Sequence, residues 1–407
     1  MGLISLAACR PLERVALSTV PSPPPASVVT PTPTVAPDTP AGFDQFLARI
    51  NAARFAERRF LVSDYLAHIP ATPLTDATRA VFLWRGQARS VRLVGDMNNW
   101  DSPNAPALQS IEETELWWYA ATFEPDARLD YQIEVDSARR LDPLNPRTLL
   151  SGYGLNSELV MPAYQLPPEL QTPAETYPAG TISEHTLDSQ ALGQRRTFFV
   201  YIPPGQLVGA RLPSLYIHDG GDYLTLIDTP AILDRLIARR DIPPLVAVFI
   251  PPIQRVTEYQ RNDAYTDFIA NELVPFIQAT YQTDPAPAAT GTLGASLGGL
   301  IALHLGVTRP DVFGLAAGQS GAVDGDNDGL ARGLAVRDPL PLRIHLVVGT
   351  YETAVGADGS NLLEANRRLA ATLRQRGYAL DYVELPAGHS WGLWRDDLGA
   401  ALRFLYR

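Results

Sequence analysis

The hydrophobic rhythm of the chain changes three times. Residues 18–41 form a Pro/Ser/Thr/Ala tract with no apolar periodicity, a composition that favours an extended polyproline-type spacer. From Phe43 onward, Phe43, Phe46, Leu47, Ile50 and Phe55 recur near helical spacing, which predicts a short helix opening a folded unit. Short apolar runs at 80–84, 90–94, 116–120 and 131–135, separated by turn residues, predict the strands of a small β-sandwich. Asp142-Pro143-Leu144-Asn145-Pro146 is read as its end, and residues 152–167 as the crossing into a second unit.

Beyond Thr181 the pattern becomes one of continuous apolar runs alternating with helical spacing. The runs at 198–202, 214–218 and 245–250 are rich in β-branched and aromatic residues, as a sheet buried on both faces requires. Further strands are predicted at 290–293, 315–318, 343–348 and 380–385, and helices at 231–239, 265–281, 298–307, 362–376 and 397–406. Such alternation implies a right-handed, mostly parallel sheet with helices on both sides and active residues at its carboxyl edge. The expected division is a leader and linker at 1–42, a helix plus sandwich at 43–165, and a doubly wound α/β unit at 181–407.

Composition narrows the partners. With 407 residues, 46% of them hydrophobic and 19% charged, the chain can fill two cores. Thirty-three basic against 44 acidic residues give a net charge of −11, and no segment concentrates Lys or Arg. A nucleic acid or an anionic membrane surface is therefore not the expected partner. No run approaches the roughly 18 apolar residues of a spanning helix. The single cysteine, Cys9, rules out an intrachain disulfide framework and a cysteine-based zinc site. Leu6-Ala7-Ala8-Cys9 resembles a bacterial lipobox, which implies lipidation of Cys9. With the spacer behind it, the expectation is an extracytoplasmic, membrane-anchored lipoprotein that meets the membrane only through that anchor.

Candidate chemistry lies in three loops of the second unit. Gly294-Ala295-Ser296-Leu297-Gly298-Gly299 fits the G-x-S-x-G elbow between a strand and a helix, making Ser296 a candidate nucleophile. A serine hydroxyl needs an adjacent base. His389, in Pro386-Ala387-Gly388-His389-Ser390-Trp391 after the last strand, is placed for that role. The acid should fall between them, and Glu352, three residues past Gly349, is the candidate; Asp358 and Glu364 compete with it. An oxyanion hole needs two backbone N–H groups, one from Leu297 and one from Gly221 or Asp222 in His218-Asp219-Gly220-Gly221-Asp222-Tyr223.

With these segments, and with Arg255, Glu258-Tyr259 and Asn271-Glu272-Leu273-Val274-Pro275, the second unit resembles the putative-esterase family of α/β-hydrolases over about residues 197–407. The preceding sandwich points to the enterochelin (ferric-siderophore) esterase-like branch. The resemblance implies an α/β-hydrolase fold and a serine carboxylic-ester hydrolase working through an acyl-enzyme without cofactor or metal. Its substrate would be a small-molecule or polymer-linked ester, such as a siderophore or carbohydrate-linked ester. An acyltransferase on the same residues, or a non-catalytic polysaccharide-binding surface protein, are the alternatives. Tyr223, Arg255, Trp391 and Arg395 are expected at the substrate, with ion pairing as the competing role for Arg255, Glu258 and Arg395. Gly95-Asp96-Met97-Asn98-Asn99-Trp100 resembles the turn of early-set domains related to glycogen-binding modules, and its tryptophan is expected to fill the sandwich core. Asp324-Gly325-Asp326-Asn327-Asp328-Gly329 copies half of a calcium loop, but Ala335 stands where the bidentate acid belongs, so a solvated turn is expected.

Overall fold

The computed structural model describes residues 35–171, 177–205, 211–323, 329–356 and 359–407. Cys9, most of the Pro-rich tract, Asp358 and the loop 324–328 lie outside the described residues.

Two helices, Pro40–Ala52 and Phe55–Ala67, open the fold where one was expected. The backbone is extended at Ala53 and Arg54, so the chain turns there and stacks Phe46 on Tyr65 at 4.1 Å. Phe43, Phe46 and Ile50 bury against Val81 and Leu83 of the strand Arg79–Arg85. That strand pairs with Leu116–Thr122, and both short edge strands, Leu74–Thr75 and Gln109–Ser110, complete a four-stranded sheet. Facing it is a second sheet, ordered Val91–Gly95, Arg128–Val135, Gly154–Val160 and Thr148–Ser151, with Ala138–Arg140 pairing outside this path. Phe82, Leu93, Leu129, Tyr131, Ile133 and Leu159 fill the space between.

The sandwich does not end at residues 142–146. The hairpin of Thr148–Ser151 and Gly154–Val160 extends it, and Met161 closes its core. Its sequence signal was weak because its outer half faces solvent: Leu150, Tyr153 and Leu155 are exposed.

The second unit is built on eight strands: β1 (Thr181–Ser189), β2 (Gln194–Ile202), β3 (Ser214–His218), β4 (Val246–Ile250), β5 (Thr290–Ala295), β6 (Leu315–Gln319), β7 (Arg343–Gly349) and β8 (Ala379–Leu385). Their order is β1-β2-β4-β3-β5-β6-β7-β8, antiparallel at β1–β2 and β2–β4 and parallel elsewhere. The fold is α/β-hydrolase-like. Alternate residues of β3 feed opposite cores: Leu215 and Ile217 pack with Leu398 and Leu402 of the last helix, Trp391–Tyr406, whereas Tyr216 packs with Phe268 and Phe313. Burying each such side chain is worth about 2 kcal/mol. β1 escaped the sequence reading because, as an edge strand, it buries only Ser189 fully.

The sandwich packs on the carboxyl edge of this sheet. Arg128 donates its N–H to the Pro386 carbonyl at 3.0 Å and its guanidinium to Ser390 Oγ at 3.3 Å. Asn99 donates to Thr353 Oγ1 and accepts from the Ala354 N–H at 3.2 Å. Tyr351 donates to Glu124, and Tyr164 to Asp396 Oδ2 at 2.6 Å.

Candidate active site

β5 runs straight into the helix Leu297–Thr308, and Ser296 at the junction has φ 58° and ψ −122°. Side-chain-bearing residues rarely adopt this conformation, and holding it costs about 1–3 kcal/mol. The glycines on either side make it accessible. A Cβ on Gly294 would stand 2.4 Å from the Gly298 carbonyl, and one on Gly298 would stand 2.8 Å from Asp219 Oδ2. The Ser296 N–H donates to the Gln319 carbonyl at 2.8 Å, and its carbonyl accepts from Ala322 at 3.0 Å. These bonds anchor the elbow to the end of β6.

His389 follows β8, immediately before Ser390, which N-caps the last helix through Leu393. Its Nε2 lies 3.0 Å from Ser296 Oγ and its Nδ1 lies 2.7 Å from Glu352 Oε2. Glu352, in the loop after β7, is 0% exposed. Its second oxygen accepts from the Gly349 N–H at 2.8 Å and from Ser320 Oγ at 2.6 Å. Serine, histidine and glutamate from three separate loops thus share one hydrogen-bonded line. Glu364 is on the helix Leu362–Gln375, exposed and paired with Arg367, away from His389.

Sequence reasoning missed two residues of this line. Ser320 donates to Glu352 and accepts from Trp394 Nε1 at 2.9 Å. The Trp394 ring meets His389 edge-on, with centroids 5.0 Å apart. No motif announces Ser320; its place one residue past a buried strand was the only available signal.

Leu297 is the first residue of its helix, so its N–H has no carbonyl one turn earlier to bond. In the other loop, the Asp222 N–H is already held by the Asp219 carbonyl at 2.9 Å. Of the two candidates there, Gly221 is the one left to donate. Its neighbourhood is open, the nearest atom to a Cβ being Pro251 Cγ at 4.0 Å.

Several residues expected at the substrate are held by partners within the protein. Tyr223 is fully buried, donates to Gln319 Oε1 at 2.6 Å and meets Trp391 edge-on at 5.2 Å. Trp391 is itself buried and packs on Trp394 at 4.8 Å. The two reach His389 only through Trp394, in the edge-on sequence Tyr223, Trp391, Trp394. Arg255 makes a bidentate pair with Asp219, and Glu258 a buried one with Arg196. Arg395 pairs with Asp396 and, with Arg147, Glu158 and Tyr164, lines a crevice of about 560 Å³ between the sandwich and the last helix.

Trp100 is half-buried rather than core-filling. Its Nε1 donates to Asp96 Oδ1 at 2.9 Å, and Arg139 lies over its ring. The turn buries Asp96 instead, whose Oδ2 accepts from the Asp130 N–H at 2.7 Å. A Cβ on Gly388, next to His389, would stand 2.2 Å from Asp96 Cγ. Burial, and then the charge of Asp130, push the Asp96 carboxyl up to about 7. A buried histidine outside this line, His345, is 2.9 Å from both Asp381 and Asp397. Burial opposes its charge, but the two carboxylates outweigh that and raise it to about 9. No helix among the described residues is long and apolar enough to cross a membrane.

Residues 189–405 match the family described as "Putative esterase". The iron(III) enterobactin esterase of Escherichia coli K12 is 26% identical over 279 residues, which cover 65% of this chain and 67% of that protein. The iron(III) enterobactin esterase of Dickeya dadantii is 25% identical over 407 residues, covering 82% of this chain and 90% of that protein. Among solved structures, the ferric enterobactin esterase of Salmonella typhimurium superposes with a TM-score of 0.72 at 21% identity, covering 84% of this chain and 98% of that one. The enterobactin esterase of Shigella flexneri, crystallised in the presence of enterobactin, gives 0.71 at 22% identity, with 84% and 97% covered.

Proposed function

The chain belongs to the putative esterase family and is a serine-type esterase; from that premise we propose that Ser296, His389 and Glu352 form its catalytic triad. The observation that carries this reading is the unbroken line from Glu352 through His389 to Ser296 Oγ, ending on a strained elbow. Ser296 Oγ attacks the ester carbonyl as His389 Nε2 takes its proton. Glu352 fixes the imidazole tautomer and stabilises the imidazolium. The N–H groups of Leu297 and Gly221 receive the developing oxyanion. Collapse expels the alcohol, protonated by His389, and water then releases the acid by the same steps in reverse.

The substrate we propose is a siderophore-type ester. The likeness to enterobactin esterases supports this, because it spans the sandwich as well as the hydrolase part. The sandwich is read as an early-set domain, supported by its two facing antiparallel sheets and by the Gly95–Trp100 turn. Residues 43–165 would be that domain and its leading helices, and 181–407 the catalytic one. Lipidation at Cys9 would place the enzyme outside the cytoplasmic membrane.

Hydrolysis of p-nitrophenyl butyrate, lost in Ser296→Ala, tests the chemistry. A panel of siderophore lactones, feruloyl esters and acetylated sugars tests the substrate: a siderophore lactone turned over no faster than the others would sink that part of the reading. Palmitate-analogue labelling that persists in Cys9→Ala would sink the anchor.

A further inference from the structure

We propose that Asp219 and Arg255 act as a pair that positions the oxyanion hole, with Arg255 cancelling a carboxylate charge the hole could not otherwise tolerate. This rests on the reading of Ser296 as nucleophile. Asp219 joins β3 to the short helix Gly220–Thr225, two residues before Gly221, and has φ 56° and ψ 36°. That left-handed conformation is uncommon for a residue with a side chain. Every polar group of Asp219 has a partner. Its N–H donates to Tyr259 Oη at 2.8 Å, and its carbonyl accepts from Asp222 at 2.9 Å and Tyr223 at 3.1 Å. Its two carboxylate oxygens accept from Arg255 Nε and Nη2, each at 2.8 Å.

The same guanidinium donates to the carbonyl of Ala295, the residue before Ser296, at 3.4 Å. Asp219 Oδ2 in turn lies 2.8 Å from where a Cβ on Gly298 would be. One forked ion pair therefore ties together the two segments that carry the Leu297 and Gly221 N–H groups. An Arg fork fixes geometry as well as charge.

Charge gives the pair its second consequence. Asp219 is 2% exposed, so its field is weakly screened by water. An unpaired carboxylate there would oppose the negative charge that builds on the carbonyl oxygen. Asp222 adds a second acid on the same loop, its carboxyl raised by burial and by the charge of Asp219. Removing Arg255 uncovers Asp219, whereas removing the Asp219 charge leaves a cation. The two substitutions should therefore differ in severity, and the second should relieve the first. An arginine that merely gripped substrate would show no such relief, and one that merely held the fold would show it in the urea midpoint rather than in the phosphonylation rate of the folded protein.

The test uses the full chain, p-nitrophenyl butyrate and the variants Arg255→Met, Asp219→Asn, their double, and Ser296→Ala. By analogy with loss of one oxyanion donor, Arg255→Met should lower kcat about 100-fold, with KM changed less than about threefold. Asp219→Asn alone should lower it only about fivefold, and adding it to Arg255→Met should restore kcat about tenfold. The rate of Ser296 phosphonylation by a p-nitrophenyl phosphonate should follow the same order, because its phosphoryl oxygen occupies the same hole. If Arg255→Met does not fold, Arg255→Gln with and without Asp219→Asn carries the same comparison, because the amide keeps a donor without the charge. A raised KM with unchanged kcat in Arg255→Met, or a double variant no faster than Arg255→Met, overturns the proposal. Full activity of Ser296→Ala would instead remove the nucleophile reading, a separate and distinguishable result.

Discussion

Ser296 and His389 meet at 3.0 Å, yet their loops are held in opposite ways. The serine loop is self-sufficient: β5, Gly294, Gly298 and two backbone bonds to the end of β6 and its following loop fix it from within the hydrolase sheet. The histidine and glutamate loops lean on another part of the chain. Arg128 binds Pro386 and Ser390, Asp96 abuts Gly388, and Asn99 and Glu124 hold residues 351–354. The nucleophile is thus a product of local strain, and its base and acid are set partly from outside. The sandwich is in this view a brace for the catalytic loops as well as a neighbour of the cleft.

The largest effects should come from the meeting point itself. Ser296→Ala and His389→Ala should each lower kcat by about 10⁴-fold or more, and the double variant should be little worse, because the two act as one unit. Single-turnover assays would expose an independent role for either residue as an additive loss. Glu352→Gln should fall by about 10³-fold, since the amide offers the wrong partner to Nδ1 while the geometry survives. An unchanged rate there, with Asp358→Asn inactive, would move the acid to a different residue.

Smaller effects probe the brace. Gly388→Ala forces a methyl group onto Asp96 and should reduce kcat about tenfold, at a stability loss of about 1–3 kcal/mol from overpacking. Asp96→Ala in the same chain should recover part of that activity. If Gly388→Ala keeps full kcat, the sandwich does not position the base. Asn99→Ala, which removes two longer bonds to the acid loop, should cost only about two- to threefold in kcat.

A last expected change touches stability rather than rate, and it follows pH. The His345 pKa is about 9 in the native state and ordinarily about 6.5, so its ion pairs contribute fully below pH 6.5. That contribution should fade as pH rises toward 9. Asp96 works in the same direction at lower pH: its native carboxyl near 7 favours the protonated form, so stability falls as pH rises from about 4 to 7. Urea midpoints measured from pH 4 to 9.5 should decline in two stages, the upper one flattened by His345→Gln and the lower one by Asp96→Asn. A midpoint that rises between pH 7 and 9 would contradict the assigned charge of His345.

The sequence by itself determined what depends on near neighbours. Continuous apolar runs revealed β2 through β8, and the spacing of Gly294, Ser296 and Gly298 marked the elbow, because a strained strand-to-helix turn demands glycines at fixed offsets. His389 and Glu352 were legible as loop residues following predicted strands. The tertiary structure alone decided where neighbours are distant or the local pattern is ambiguous. The polar edge strand β1 and the half-exposed hairpin of Thr148–Ser151 and Gly154–Val160 carry little hydrophobic signal, since solvent faces much of each. Tyr223 and Trp391 looked like cleft residues, but an aromatic side chain at a loop–helix junction can turn inward or outward, and packing turned both inward. Asp96, Asn99 and Arg128 reach the catalytic loops only after hundreds of residues of chain have folded back. Such contacts leave no periodicity behind, because they are fixed by the docking of one sheet on another rather than by the spacing of residues along a single element.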